Sequence, residues 1–199
     1  MLNAVRLAFA ATAIVAMTYQ FAVGLSNESR FAAANFFSFF TIQSNILGVA
    51  ALFALVLVPR ARRTPLFDGV RSAAVLYMAI TGVVFALLLA GLQEELQTSE
   101  NWVNFVVHKL MPVVLFADWL VDPPRHRLPW WTVAAWLAYP LAWLGYTLVR
   151  GEAEDWYPYP FVDVSELGYG GVLARSLGLA AGFALAGAAL LWLGNRRAR

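Results

Sequence analysis

The sequence predicts an all-α membrane protein: a single domain, residues 1–199, of six transmembrane helices with both termini in the cytoplasm. Three observations lead there. The 199 residues are 61% hydrophobic and only 13% charged, more apolar surface than a soluble domain of this size can hide. Six apolar runs, residues 4–25, 36–58, 70–92, 102–121, 130–150 and 172–193, each approach or exceed the roughly 20 helical residues that cross a bilayer core. Most of the basic residues sort to one side of those runs.

Taken in order, the first run follows Arg6 and is rich in alanine. Its apolar length, through Leu25, exceeds that of a signal-peptide core, so a retained helix is expected. The second opens with "FFSFFTIQSNILGVA", residues 36–50, and places Ser38, Thr41, Gln43, Ser44 and Asn45 inside an apolar stretch. The third follows an arginine-rich connection. The fourth carries Asn101, Asn104, His108, Lys109 and Asp118, with Pro112 placed to kink the helix or free a carbonyl. The fifth is announced by Trp130 and Trp131, which read as interface anchors. The sixth has glycines at 178, 182 and 187, read as close-packing positions. Most connections are short, so neighbours in sequence should pack antiparallel. The exception is "GEAEDWYPYPFVDVSELGYGG", residues 151–171, an aromatic, acidic loop of a length that usually binds or covers something.

Charge sets the direction. Arg6, Arg60, Arg62, Arg63, Arg71, Arg125, Arg127, Arg196, Arg197 and Arg199 flank one side; Arg30, Arg150 and Arg175 flank the other. Because basic residues are retained in the cytoplasm, helices 1, 3 and 5 run outward. Glu94, Glu95, Glu100, Glu152, Glu154, Asp155, Asp163 and Glu166 then fall outside. A multi-pass integral membrane location is expected.

Composition also excludes. With no cysteine there are no disulfides, thiol nucleophiles, cysteine-held metals or covalently attached haem. A net charge of +2 is too small to point to nucleic acid. The single lysine, Lys109, lies in the fourth helix rather than a final one, which argues against a retinal protein. The only other histidine, His126, lies in a cytoplasmic connection, which argues against a paired-histidine haem. No cofactor and no metal is expected.

Polar groups at membrane depth are costly and face a bundle interior. Thr41 and Asn45 are four apart and share a helix face, as do Asn101, Asn104 and His108. Thr41 lies roughly 7–8 Å and His108 roughly 9 Å along their helices from the outer end, at about 1.5 Å per residue. A hydroxyl and an imidazole at one level have the makings of a nucleophile–base pair. Two bland readings compete. Thr, Ser and Asn in membrane helices also serve as interhelical hydrogen-bond links. Lys109 is long enough to reach outward to the interface. For Asp118, beside Trp119, an interfacial or helix-pairing role is favoured.

Three segments carry a resemblance: "FFTIQSN" at 39–45, "HKLMPVVLFADW" at 108–119 and "WYPYPFVD" at 156–163. Together and in this order they resemble the integral-membrane hydrolases of fatty acid esters of hydroxy fatty acids, the androgen-induced and androgen-dependent TFPI-regulating proteins, and their bacterial six-helix relatives. The likeness runs along nearly the whole chain. It implies a threonine nucleophile and a histidine, which fall on Thr41 and His108. On that reading His108 acts as general base and an acyl-threonine intermediate forms. Asn45 or Gln43 would supply an oxyanion hydrogen bond, Ser44 would line the site, and Asn104 would orient the imidazole. Tyr159, Pro160 and Phe161 would cap the cavity from outside, with Asp163 tied to Lys109. The expected partners are membrane lipids or an acyl-chain substrate. The alternative is a small solute or proton-coupled transporter or binding protein, with Asn45, His108, Lys109 and Asp118 along its path.

Overall fold

The structure, a computed structural model, describes residues 1–27, 32–89 and 100–198. Arg30, Glu94, Glu95 and Arg199 lie outside them, as does the end of the third run beyond residue 89. The described chain is all-α, with no strand, and six of its helical stretches are long and apolar enough to cross a membrane. The protein is therefore an integral, multi-pass membrane protein. Large apolar side chains are exposed on every span, including Val15, Leu57, Leu87, Val113, Val149 and Leu185. In water such surface would drive association; lipid accepts it.

The elements are α1 (Leu2–Asn27), α2 (Ala33–Ser38), α3 (Phe40–Leu57), α4 (Pro65–Val84), α5 (Asn101–Phe105), α6 (Met111–Val121), α7 (Thr132–Glu154) and α8 (Val164–Arg197). Two π-helical turns join them: Phe85–Leu89 extends α4, and Val106–Leu110 links α5 to α6 into one span. The expected second run is thus two helices, broken at Phe39, whose ψ of 125° is extended rather than helical. The third run begins earlier than hydropathy suggests. Thr64 caps α4 by accepting a hydrogen bond from the Phe67 amide at 3.2 Å, Pro65 holds the first turn, and Asp68 sits at its positive end.

Contacts group the chain into two compact units, Met1–Arg127 with Gly194–Arg199, and Leu128–Leu193. In the first, α1, α3, α4 and the α5–α6 span pack around Leu52, Leu76, Met78, Val103, Met111, Leu115 and Trp119, all buried. Gly48 of α3 permits the close approach of α6: a Cβ there would lie 2.5 Å from Leu115 Cδ1. At one end of this unit the start of α1, the α3–α4 connection and the end of α6 meet in a charged cluster. The Asp118 carboxylate accepts from Arg6 Nε at 2.7 Å and Arg71 at 2.9 Å. Asp122 accepts from Arg6 at 2.7 Å, Arg63 at 2.8 Å and Arg60. Arg71 also caps α6, donating to the carbonyls of Asp118 at 3.2 Å and Asp122 at 2.5 Å. The helix-pairing role expected of Asp118 is what its position supplies.

In the second unit, the long loop expected at 151–171 is shorter. Helix α7 continues through Glu154 and stops at Asp155, in the left-handed region at φ 51°. Helix α8 starts at Val164, where the Asp163 carboxylate accepts from the Ser165 amide at 2.8 Å. The chain then turns at Gly168, whose φ of 63° suits glycine, before the long run to Arg197. Hydropathy missed both extensions because glutamates and a serine are polar yet helix-compatible.

Candidate functional site

Helix α3 begins at Phe40, so Thr41 stands in its first turn, at the positive end of the helix dipole. It is buried, at 6% exposure. Four residues on, Asn45 is fully buried and its Nδ2 donates to the Thr41 carbonyl at 2.9 Å. The same nitrogen donates to the Val107 carbonyl at 3.1 Å. This answers what helical spacing alone left open: α3 and the histidine-bearing span touch at this level.

The reason lies in Pro112. Through the Val106–Leu110 turn the backbone pairs in the π pattern, with the Met111 amide on the Val106 carbonyl. The next rung would run from residue 112 to the Val107 carbonyl, but proline has no N–H. Asn45 supplies the missing donor from another helix. The sequence-based expectation that Pro112 frees a carbonyl thus takes a specific form. A π turn also widens the helix, and such turns recur at functional sites. Gly82 of α4 closes on this widened turn: a Cβ on it would lie 3.1 Å from Pro112 and 3.3 Å from the His108 carbonyl oxygen.

His108 projects from the π turn into the interior, 4% exposed. Its Nδ1 lies 2.5 Å from Asn104 Oδ1. An amide oxygen only accepts, so Nδ1 carries the proton and donates, leaving the Nε2 lone pair as the basic position. The imidazole stacks on Phe85, with centroids 4.1 Å apart and planes at 17°. Asn104 and Phe85 thereby fix the ring on an edge and a face. Asn101, expected on the same side, is exposed.

The remaining candidates divide. Ser44 is buried beside Asn45. Gln43 is half-buried and donates to the Phe37 carbonyl at 2.8 Å, bracing the break at Phe39. Both amide hydrogens of Asn45 are committed to carbonyls, so Asn45 as placed has none left for an oxyanion. Lys109 points outward and is exposed, and among the described residues no ion pair involves it. Tyr159, Phe161 and Asp163 belong to the second unit. There Tyr159 stacks on Phe161 at 5.0 Å and leans on Trp143 at 5.9 Å. Asp163 accepts from both the amide and the hydroxyl of Ser165, so its carboxylate caps α8. Among the described residues no group of acidic and histidine side chains is placed to hold a metal ion.

Comparison of the chain with protein-family models, with curated proteins and with solved structures finds no match. The site therefore has to be read from its own geometry.

Sequence reasoning missed Thr81 and Phe85. Thr81, followed at once by Gly82, is a hydroxyl midway in the third run, and it is buried. That pairing was a visible signal. Nothing local marked Phe85 among its apolar neighbours.

Proposed function

We propose that the protein is an intramembrane ester hydrolase, cleaving lipid esters such as fatty acid esters of hydroxy fatty acids. Thr41 is the nucleophile and His108 the general base. The observation that carries the reading is the Asn45 bridge, which ties the turn of Thr41 to the turn of His108. The Asn104 contact supports it by leaving Nε2 of His108 as the proton acceptor. An isolated threonine hydroxyl is a weak nucleophile at neutral pH and needs such a base. As its oxygen attacks the acyl carbonyl, negative charge develops near the start of α3, where the helix dipole favours it. The resemblance of "FFTIQSN" and "HKLMPVVLFADW" to the membrane ester hydrolases points to the same pair. The proposed setting is a bacterial inner membrane, with the arginine-rich end in the cytoplasm.

The transport reading has less support. Asp118 is engaged by Arg6 and Arg71, and Met111 and Leu115, buried and apolar, intervene between it and His108. No polar path along that helix joins the two.

The test is hydrolysis of a lipid ester by purified protein. Thr41→Ala and His108→Ala should each abolish turnover while the protein stays folded. Full activity in both overturns the assignment. A fluorophosphonate probe should label the wild type and not Thr41→Ala.

A further inference from the structure

Three buried polar atoms on α3 and α4 make no hydrogen bond within the protein: Ser44 Oγ, Asn45 Oδ1 and Thr81 Oγ1. Their residues are at most 5% exposed. Serine and threonine inside a helix commonly turn the hydroxyl back onto the carbonyl four residues earlier; these two do not.

Their placement is shared. Gly48, one turn along α3 from Ser44 and on the same face, meets Leu115 and Met78. Ser44 therefore looks toward α4 and the histidine-bearing span. Thr81 lies one turn along α4 from Met78, and its neighbour Gly82 abuts Pro112 and the His108 carbonyl. Asn45 reaches Val107. Its amide orientation is unambiguous, because both partners of Nδ2 are carbonyls and Oδ1 must point away from them. The three residues thus lie on the two helices, α3 and α4, that pack against the span carrying His108. Buried groups of this kind are typically bridged by an internal water with about three hydrogen bonds.

We propose that Ser44, Asn45 and Thr81 hold a water molecule beside His108, and that this water releases the acyl group from Thr41. The proposal rests on the hydrolase reading above. Asn45 Oδ1 accepts one water hydrogen and His108 Nε2 accepts the other. A hydroxyl of Ser44 or Thr81 donates to one lone pair, and the second lone pair is left to attack. As the water oxygen bonds to the acyl carbonyl carbon, its proton passes to Nε2. The tetrahedral intermediate collapses by breaking the bond from that carbon to Thr41 Oγ1, which takes the proton back from His108. A carboxylic acid departs and the threonine hydroxyl is restored. Ser44 and Thr81 are positioning residues in this scheme, acting on the second half-reaction alone.

Rapid-mixing kinetics with a 4-nitrophenyl acyl ester separate the halves. In Thr81→Val and Ser44→Ala the first-turnover burst should keep the wild-type rate. Steady-state kcat should fall about tenfold or more in the variant that removes the donating hydroxyl, as a lost proton-transfer arrangement does. Intact-mass analysis of the quenched variants should show an acyl adduct that is absent from Thr41→Ala. Thr81→Ser should restore turnover. A wild-type kcat in both variants, or an equal fall in burst and steady state, overturns the water site. A Thr41→Ala protein that still turns over overturns the hydrolase reading itself, which keeps the two failures distinct.

Discussion

The Asn45 amide donates to the Val107 carbonyl at 3.1 Å, standing in for the backbone N–H that Pro112 does not have. One side chain thereby repairs a break in another helix and sets the distance between two of them. Asn45→Leu should leave that carbonyl buried without a donor. The expected loss is about 1–3 kcal/mol, read as a lower unfolding midpoint in detergent, together with lower ester hydrolysis. Unchanged stability would mean the contact contributes nothing.

Asn104 holds the His108 ring through Nδ1. Asn104→Leu, similar in size but without the acceptor, should lower kcat by about 10²-fold, as loss of general-base alignment does. KM should change little, because no acyl contact is removed. A rise in KM at constant kcat would assign Asn104 to substrate binding instead.

Gly82 is where α4 meets the π turn. Gly82→Val would drive side-chain atoms against Pro112 and the His108 carbonyl, both within 3.3 Å of a single Cβ. Overpacking of this kind typically costs about 1–3 kcal/mol. A lower melting temperature with reduced turnover is expected; Gly178→Val, where a Cβ meets nothing within 4 Å, is the control.

Asp118 anchors Arg6 and Arg71, and all three are buried. Asp118→Asn removes the carboxylate that Arg71 pairs with and leaves Arg6 only that of Asp122; breaking a buried pair typically costs about 3–5 kcal/mol. Folded yield and thermal midpoint measure it. A midpoint equal to wild type would show that the carboxylate is dispensable.

Asp122 gives the acid limb. Burial by itself would raise its carboxyl, but hydrogen bonds from Arg6 and Arg63 and the charges of Arg63 and Arg71 outweigh this and hold it at about 2. A carboxyl depressed in the folded state stabilises above its unfolded pKa of about 3.9, and that contribution is lost as pH falls through the folded value. Melting temperature should therefore drop between about pH 4 and pH 2. Asp122→Asn should melt lower than wild type at pH 7 and show a flatter acid limb.

Much of the architecture was legible in the chain. Apolar runs located six spans, because span length and hydropathy are local properties. Their ends were less legible where polar but helix-compatible residues continue the helix, as at Glu154, or where a cap such as Thr64 starts it early. For the site, hydropathy and spacing singled out Thr41, Asn45, Asn104 and His108, since polar groups are costly in lipid. The role of each was not local. Asn45 reads the same in sequence whether it serves an oxyanion or a carbonyl, and Asp163 the same whether it meets a lysine or caps a helix.

By itself the sequence determined the class: an all-helical chain, apolar enough to live in a bilayer, with most of its arginines at one end of the helices. Only the tertiary structure decided that Pro112 shifts the backbone into a π turn at His108 and that Asn45 supplies the missing donor. It alone decided that Asp118 and Asp122 bind Arg6, Arg60, Arg63 and Arg71 from three separate segments. The physical reason is that burial follows from residue type and local period, whereas the partner of a buried hydrogen-bonding group is chosen by whichever helix packs beside it.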